Sequence, residues 1–260
     1  MSSIATIWYG IKDWYGIKDV NGFSRGLLNT LSVGALLLMA TGITIVIGFG
    51  CMDQKKVEEK ASIIKAGTVE ISRAEFAREL EVKQANYPYD IKDSPSEYNA
   101  MVLDLVSDLS DQAVLLAAAT AKGIDVSDKA LDAAIADFKK DYPEDSFDQM
   151  LLERAISYPV WKKRLKKDMV IQELIMQDLV ASQEIHPEDM IAFYDRFAGQ
   201  TETQDSNNSA MMHEKDLALK LRIEKSQEAF GNWFQGLQAS YPVYIDERVL
   251  SAFLINPEKQ

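Results

Sequence analysis

The sequence has few of the residues that build chemical sites: one cysteine, Cys51, and two histidines, His186 and His213. A single cysteine cannot form a disulfide bond within the chain. The sequence also lacks a His-Glu-x-x-His motif, a Gly-x-Ser-x-Gly motif and a phosphate-binding glycine loop. The two histidines have no second ligand set at a suitable spacing. We therefore predict no active site, no metal site and no cofactor.

Charge is absent from one long segment, because no charged residue occurs between Arg25 and Asp53. A helix over residues 27–50 would be about 36 Å long, which is enough to cross the hydrocarbon core of a bilayer. A cleaved secretory signal has a shorter apolar stretch of about 7–15 residues. We predict a retained transmembrane helix within residues 26–52 that contacts the lipid bilayer through residues 27–50. A lipoprotein signal that ends at Cys51 and an ordinary cleaved signal are the alternatives.

The short head before this segment, residues 1–25, contains a hexapeptide repeated at residues 8–13 and 14–19, Trp-Tyr-Gly-Ile-Lys-Asp. Paired Trp and Tyr beside a membrane helix are typical of the headgroup region, and contact with a specific partner is the alternative. Lysines on both sides of the apolar segment do not distinguish the two orientations. The short head and the large remainder favour a single-pass inner-membrane protein with its C-terminal domain in the periplasm.

Negative charge dominates the rest of the chain. The net charge is −12, and the first 50 residues contribute +1 from three basic and two acidic residues, which leaves −13 for residues 51–260. Such a surface argues against binding of nucleic acid and against flat association with anionic lipid.

The hydrophobic periodicity after residue 60 is mainly helical. Ser72 and Glu75 have capping-box spacing, and Gly123 is typical of a helix end. Ser127 is expected to cap a helix that turns Leu131, Ile135 and Phe138 inward, and a second capping box at Ser146 and Gln149 is expected to lead to Leu151, Leu152 and Ile156. Strand patterns are confined to residues 62–66, 68–71 and 241–245. We predict a mainly α fold with a small two- or three-stranded sheet.

The order of these segments resembles the N-terminal domain of SurA-type periplasmic chaperones, in particular the membrane-anchored PpiD- and PrsA-like members. The residues that carry the resemblance are IIKAGTVEISRAEFARELE (63–81), AVLLAAATAKGIDVSDKALDAAIADF (113–138), ISYPVWKKRLKKDMVIQELI (156–175) and IHPEDMIAFYDRF (185–197). The resemblance implies a helical chaperone domain over residues 62–198. It also implies that a C-terminal helix and strand, residues 214–260, pack back on that domain.

The sequence departs from the family where relatives carry a parvulin prolyl-isomerase domain. Residues 199–213 form a polar linker there, and an independent domain needs at least about 50 residues. We therefore expect a protein without enzymatic activity. It would be anchored in the membrane and would bind unfolded, nascent or translocating polypeptides. The alternative is a structural or adaptor subunit of an inner-membrane complex. Large apolar side chains are the candidates for polypeptide binding: Met101, Leu105, Trp161, Met169, Phe193 and Trp233.

Overall fold

The computed structural model describes residues 61–140, 142–143, 146–154, 156–198 and 214–256. These residues form eight α-helices and one three-stranded antiparallel sheet, which confirms the mainly helical class with a small sheet. The predicted head and transmembrane segment, residues 1–52, and the polar linker, residues 199–213, lie outside the described residues. Within the described ranges, none of the helices combines the length and the apolar character needed to cross a bilayer.

The sheet is a hairpin joined by a strand from the other end of the chain. Strand β1 (Ser62–Ala66) pairs with β2 (Val69–Ser72) on one side and with β3 (Val243–Ile245) on the other, both antiparallel. The turn between β1 and β2 contains Gly67 with a φ of +55°, a conformation that glycine adopts at little cost. A Cβ at this position would also lie 3.2 Å from the Cβ of Ala117. The sheet therefore packs tightly on the helix that contains Ala117.

Helix α2 (Pro95–Ala121) lies at the centre of the core and contacts both the sheet and later helices. It ends where Gly123 takes a φ of +70° and the Ile124 N–H donates to the carbonyl of Ala119 at 2.9 Å, as the sequence predicts. The first helix begins after Ser72, whose hydroxyl accepts the Glu75 N–H at 3.2 Å. The helices are α1 (Arg73–Gln84), α2 (Pro95–Ala121), α3 (Asp128–Lys140), α4 (Ser146–Glu153), α5 (Tyr158–Leu174), α6 (Pro187–Ala198), α7 (Glu214–Ser240) and α8 (Glu247–Ser251).

The C-terminal segment returns to the N-terminal half of the domain. The side-chain amide of Asn99 donates to the carbonyl of Ile255 at 2.8 Å and accepts the N–H of the same residue at 2.9 Å. The ring of Phe253 packs edge-on against Phe76, with 4.9 Å between ring centroids. Because β3 also pairs with β1, residues more than 150 positions apart form one core.

One residue that was predicted to face inward is instead exposed. Phe138 is 38 % exposed, whereas Ile135 of the same helix is buried. The reason is that the last turn of α3 lies beyond the main core, where Phe138 packs against Phe147 of α4 and Trp161 of α5. Hydrophobic periodicity predicts the inward face of a helix, but it does not predict where the core ends along that helix.

Candidate functional site

An aromatic surface lies where α3, α4 and α5 meet. We call it the aromatic patch, and it consists of Phe138, Tyr142, Phe147, Tyr158 and Trp161. Phe147 is 5 % exposed and lies beneath the other rings, with its ring centroid 4.9 Å from that of Trp161. Phe138 stacks on Tyr142 at 5.3 Å and also contacts Trp161 at 5.3 Å. Five rings therefore form one continuous cluster, and Phe138 and Tyr158 are its most exposed members.

Local sequence explains how the patch is assembled. Tyr158 and Trp161 are three residues apart in the first turn of α5, so both side chains lie on the same face of that helix. Phe147 is the second residue of α4 and lies on its buried face together with Leu151. Lys139 covers one side of the patch, since its Nζ lies 4.7 Å from the ring centroid of Phe147 and 5.3 Å from that of Tyr158.

A groove runs along the opposite side of α5, and we call it the lysine-walled groove. Its volume is about 800 Å³, within the range of about 300–1,000 Å³ that is typical of ligand pockets. The floor is apolar and is formed by Leu116, Ile124, Leu131, Pro159 and Val170. Four lysines of α5 line one side, namely Lys162, Lys163, Lys166 and Lys167, and the groove is also lined by the carboxylates of Asp125 and Asp128. The aromatic patch and the groove therefore share the N-terminal half of α5.

A half-buried carboxylate marks the base of the lysine wall. Glu75 of α1 forms ion pairs with Lys167 at 2.7 Å and with Lys163 at 3.4 Å. Burial opposes the ionisation of Glu75, but the hydrogen bonds and positive charges of the two lysines outweigh it and lower the pKa of this carboxyl. The surroundings of the wall are thus positive enough to stabilise a negative charge that is partly removed from water.

A polar contact fixes α7 against the other helices on the far side of α5. After Leu174 the backbone of α5 continues as a π-helix, Ile175–Val180. Its Asp178 accepts hydrogen bonds from the indole Nε1 of Trp233 at 2.9 Å and from Lys122 Nζ at 2.7 Å. Burial opposes the ionisation of Asp178, yet these two donors and the lysine charge lower its pKa. A single carboxylate therefore connects α7 to the end of α2.

The six residues predicted to bind polypeptide do not converge on one surface. Met101 and Leu105 are buried in the main core, and Phe193 is buried in a smaller cluster beside Leu221. Met169 and Trp233 are partly buried against the main core. Trp161 is the one member of the set that belongs to the aromatic patch, and polypeptide binding by it stays a prediction.

Four members of the patch, Phe138, Tyr142, Phe147 and Tyr158, were not predicted as binding residues. A signal for them is present in the sequence, because these four and Trp161 occur within the 24 positions 138–161. That density is about one aromatic residue in five, against 9 % for the whole chain. The clustering of aromatic residues in this stretch therefore indicates the patch better than the methionines do.

Other chemistry in the described part of the chain is sparse. No group of three or more His, Cys, Asp or Glu side chains there has the geometry to hold a metal ion. His186 lies at the start of α6, where its backbone N–H donates to the carboxylate of Asp189 at 3.0 Å. Asp189 also forms an ion pair with Lys225, and this contact connects α6 to α7.

The comparisons with known proteins agree with the helical architecture. A family model described as the SurA-like N-terminal domain matches residues 27–175, which is more than half of the chain. No parvulin domain was found. The comparison with curated proteins found no match. The matched region begins at Leu27, within the uncharged segment, and it includes both the aromatic patch and the lysine-walled groove.

Proposed function

Because this chain belongs to the SurA-like N-terminal domain family, a chaperone-type family, we propose that it binds exposed apolar segments of unfolded or translocating polypeptides. The aromatic patch is the observation that carries this function. Exposed aromatic rings contribute a large contact area at a low cost in conformational entropy, since each side chain has few rotatable bonds. Rings supported from below by a buried Phe147 are already ordered before a ligand binds.

The exposed area suits weak, reversible binding. Phe138 and Tyr158 are 38 % and 39 % exposed, and a full aromatic side chain has about 150–250 Å² of surface. Covering the exposed part of each ring would therefore contribute about 2 kcal/mol at about 25 cal/mol per Å². A few such contacts support transient holding of a non-native chain, not a permanent complex.

The proposed setting is the periplasmic face of the inner membrane. Residues 27–50 would form the single transmembrane helix, and the described domain would lie outside the cytoplasm. The length and lack of charge of this segment support the anchor, and the short head before it supports the orientation. No prolyl-isomerase activity is proposed, because the position of the parvulin domain is taken by a largely polar stretch of only 15 residues, 199–213.

Suppression of aggregation tests this function. The full chain, held in nanodiscs of neutral phosphatidylcholine, is mixed with a chemically unfolded client, and light scattering is followed. We expect suppression at near-stoichiometric ratios by the unchanged protein and a clear loss with F138S/Y158S. The matched control is Tyr244→Ser, which removes a tyrosine that is 62 % exposed on β3, outside the patch.

Two results would contradict the proposal. Equal suppression by the patch variant and the control would mean that the aromatic patch does not contact the client. No suppression by the unchanged chain, combined with stable co-purification of one membrane protein, would instead indicate an adaptor subunit of a membrane complex.

A further inference from the structure

A lysine side chain lies over the middle of the aromatic patch. The Nζ atom of Lys139 is 4.7 Å from the ring centroid of Phe147 and 5.3 Å from that of Tyr158. Both distances are within the range of about 6 Å at which an aromatic ring attracts a cation. Phe147 is the ring that contacts all four other rings of the patch, and it is only 5 % exposed with this lysine in place. Lys139 therefore covers the centre of the patch.

The next lysine along α3 has a different contact. Lys140 forms an ion pair with Asp137 at 2.9 Å, within the same helix. Among the residues that the structure describes, the Lys139 ammonium contacts two rings and no carboxylate. Lys139 is also an exposed residue at the last turn of the helix, so its long side chain can turn from the rings into water. That movement breaks no ion pair within the described part of the chain and gives up only a weak contact with the rings.

The position of Lys139 has a consequence for the proposed function, on which this inference rests. A client side chain that packs on Phe147 and Tyr158 needs the space that Lys139 occupies. We infer that Lys139 is a displaceable cover that competes with client segments for the aromatic patch. Only molecules in which Lys139 has turned away bind a client there, so the apparent affinity falls in proportion to their fraction. The cover also shields apolar surface from water when no client is bound.

Removal of the cover tests the competition. The ligand is a fluorescent peptide with a core of leucines and one phenylalanine between uncharged serine flanks, so that a change in protein charge does not by itself alter binding. Its binding to the full chain in phosphatidylcholine nanodiscs is measured by anisotropy. We expect Lys139→Ser to bind this peptide about three- to fivefold more tightly than the unchanged protein, because the rings are then open in every molecule.

Two matched variants separate the cover from other effects of the substitution. Lys140→Ser removes the same charge from the same last turn of α3, where a lysine also interacts favourably with the helix end. Because the Lys140 ammonium pairs with Asp137, this variant should bind the peptide as the unchanged protein does. Lys139→Arg keeps a cation over the rings and should also bind like the unchanged protein.

Displacement itself is measured by nuclear magnetic resonance. Reductive methylation with ¹³C-formaldehyde labels the lysine amines and keeps their positive charge. The methyl signal of Lys139, identified by its absence in Lys139→Arg, should be shifted upfield in the free protein by the ring currents of Phe147 and Tyr158. Addition of the peptide should move this signal to the position typical of exposed lysines, while the signal of Lys140 stays where it is.

The outcomes separate this inference from the proposed function. If Lys139→Ser binds the peptide no more tightly than Lys140→Ser, the competition is overturned and polypeptide binding stands. Weaker binding by Lys139→Ser would mean that the lysine helps to hold the client, which also contradicts a competing cover. A Lys139 signal that keeps its upfield shift in the complex would show that the client does not displace it. If the peptide binds to none of the proteins, both the inference and the proposed function are overturned.

Discussion

Replacing Asp111 by asparagine should stabilise the folded chain at neutral pH. Asp111 lies on α2 and is half-buried, and its carboxylate accepts a long hydrogen bond of 3.5 Å from Gln238 of α7. Burial, together with the nearby negative charge of Asp108, raises the pKa of Asp111 to about 6, although Gln238 opposes this. Ionised Asp111 is therefore a cost to the folded state, and asparagine removes the charge while it keeps an oxygen for Gln238.

The magnitude follows from the shift of the pKa from 3.8 to about 6. Each pKa unit corresponds to about 1.4 kcal/mol, so the full shift sets an upper limit of about 3 kcal/mol. Because water reaches part of the Asp111 side chain, we expect about 1–2 kcal/mol at pH 7.5. For a domain of this size that gain raises Tm by about 3–6 °C.

The pH dependence identifies the cause. Between about pH 4 and pH 6 the folded chain keeps a proton on Asp111 that the unfolded chain has released, so the stability of the unchanged protein falls as pH rises through this window. Asparagine does not titrate, and the Tm advantage of Asp111→Asn should therefore be full above pH 6 and disappear towards pH 4. Circular dichroism at 222 nm during heating, at pH 4, 5, 6 and 7.5, measures it.

The matched control is Asp137→Asn, because Asp137 forms an exposed ion pair with Lys140 and should change Tm by less than about 1 °C. An equal Tm gain for Asp111→Asn at pH 4 and pH 7.5 would refute the ionisation argument. No gain at any pH would show that the carboxylate is fully solvated.

Three further substitutions test the packing of the hairpin, the middle of α7 and the contact of α7 with the end of α2. Gly67→Ala should destabilise the domain by about 1–3 kcal/mol, because alanine is strained at a φ of +55° and its Cβ would lie 3.2 Å from the Cβ of Ala117. Gly231→Ala, in the middle of α7 with open space around the Cβ, should instead stabilise the domain by about 0.5–1 kcal/mol. Urea unfolding measures both, and an unchanged stability of Gly67→Ala would contradict the tight packing of the hairpin. Trp233→Phe should cost about 1–2 kcal/mol at neutral pH, because Asp178 loses its indole donor while the ring contacts remain, and an unchanged urea midpoint would mean that this hydrogen bond contributes nothing.

Local chemistry in the sequence predicts where several elements begin and end. The hydroxyl of Ser72 caps α1, and glycines at positions 67 and 123 occupy the two positive-φ positions seen in the described residues. These signals are reliable because each depends on a few adjacent residues. The return of β3 to β1 depends on contacts between distant segments, and it was expected only from the resemblance to the family.

The binding surface was harder to predict, because exposure depends on how far each helix extends beyond the core. Met101 has the size and flexibility of a binding residue, but α2 is surrounded by other elements and buries it. Phe138 has the periodicity of a core residue, but at the end of α3 it packs against the rings of Phe147 and Trp161 and stays 38 % exposed. The spacing of apolar side chains indicates which face of a helix turns inward. Only the packing of neighbouring helices decides whether a given side chain on that face is exposed.

Contact between the aromatic patch and a non-native chain is the central claim, and site-specific photocrosslinking measures it most directly. Benzoylphenylalanine is placed at Tyr158 in the full chain, and at Tyr244 as the control, and each protein is irradiated with an unfolded client. We expect strong crosslinks to the client from position 158 and few from position 244. Equal crosslinking from both positions, or crosslinking from position 158 only to one folded partner protein, would contradict it.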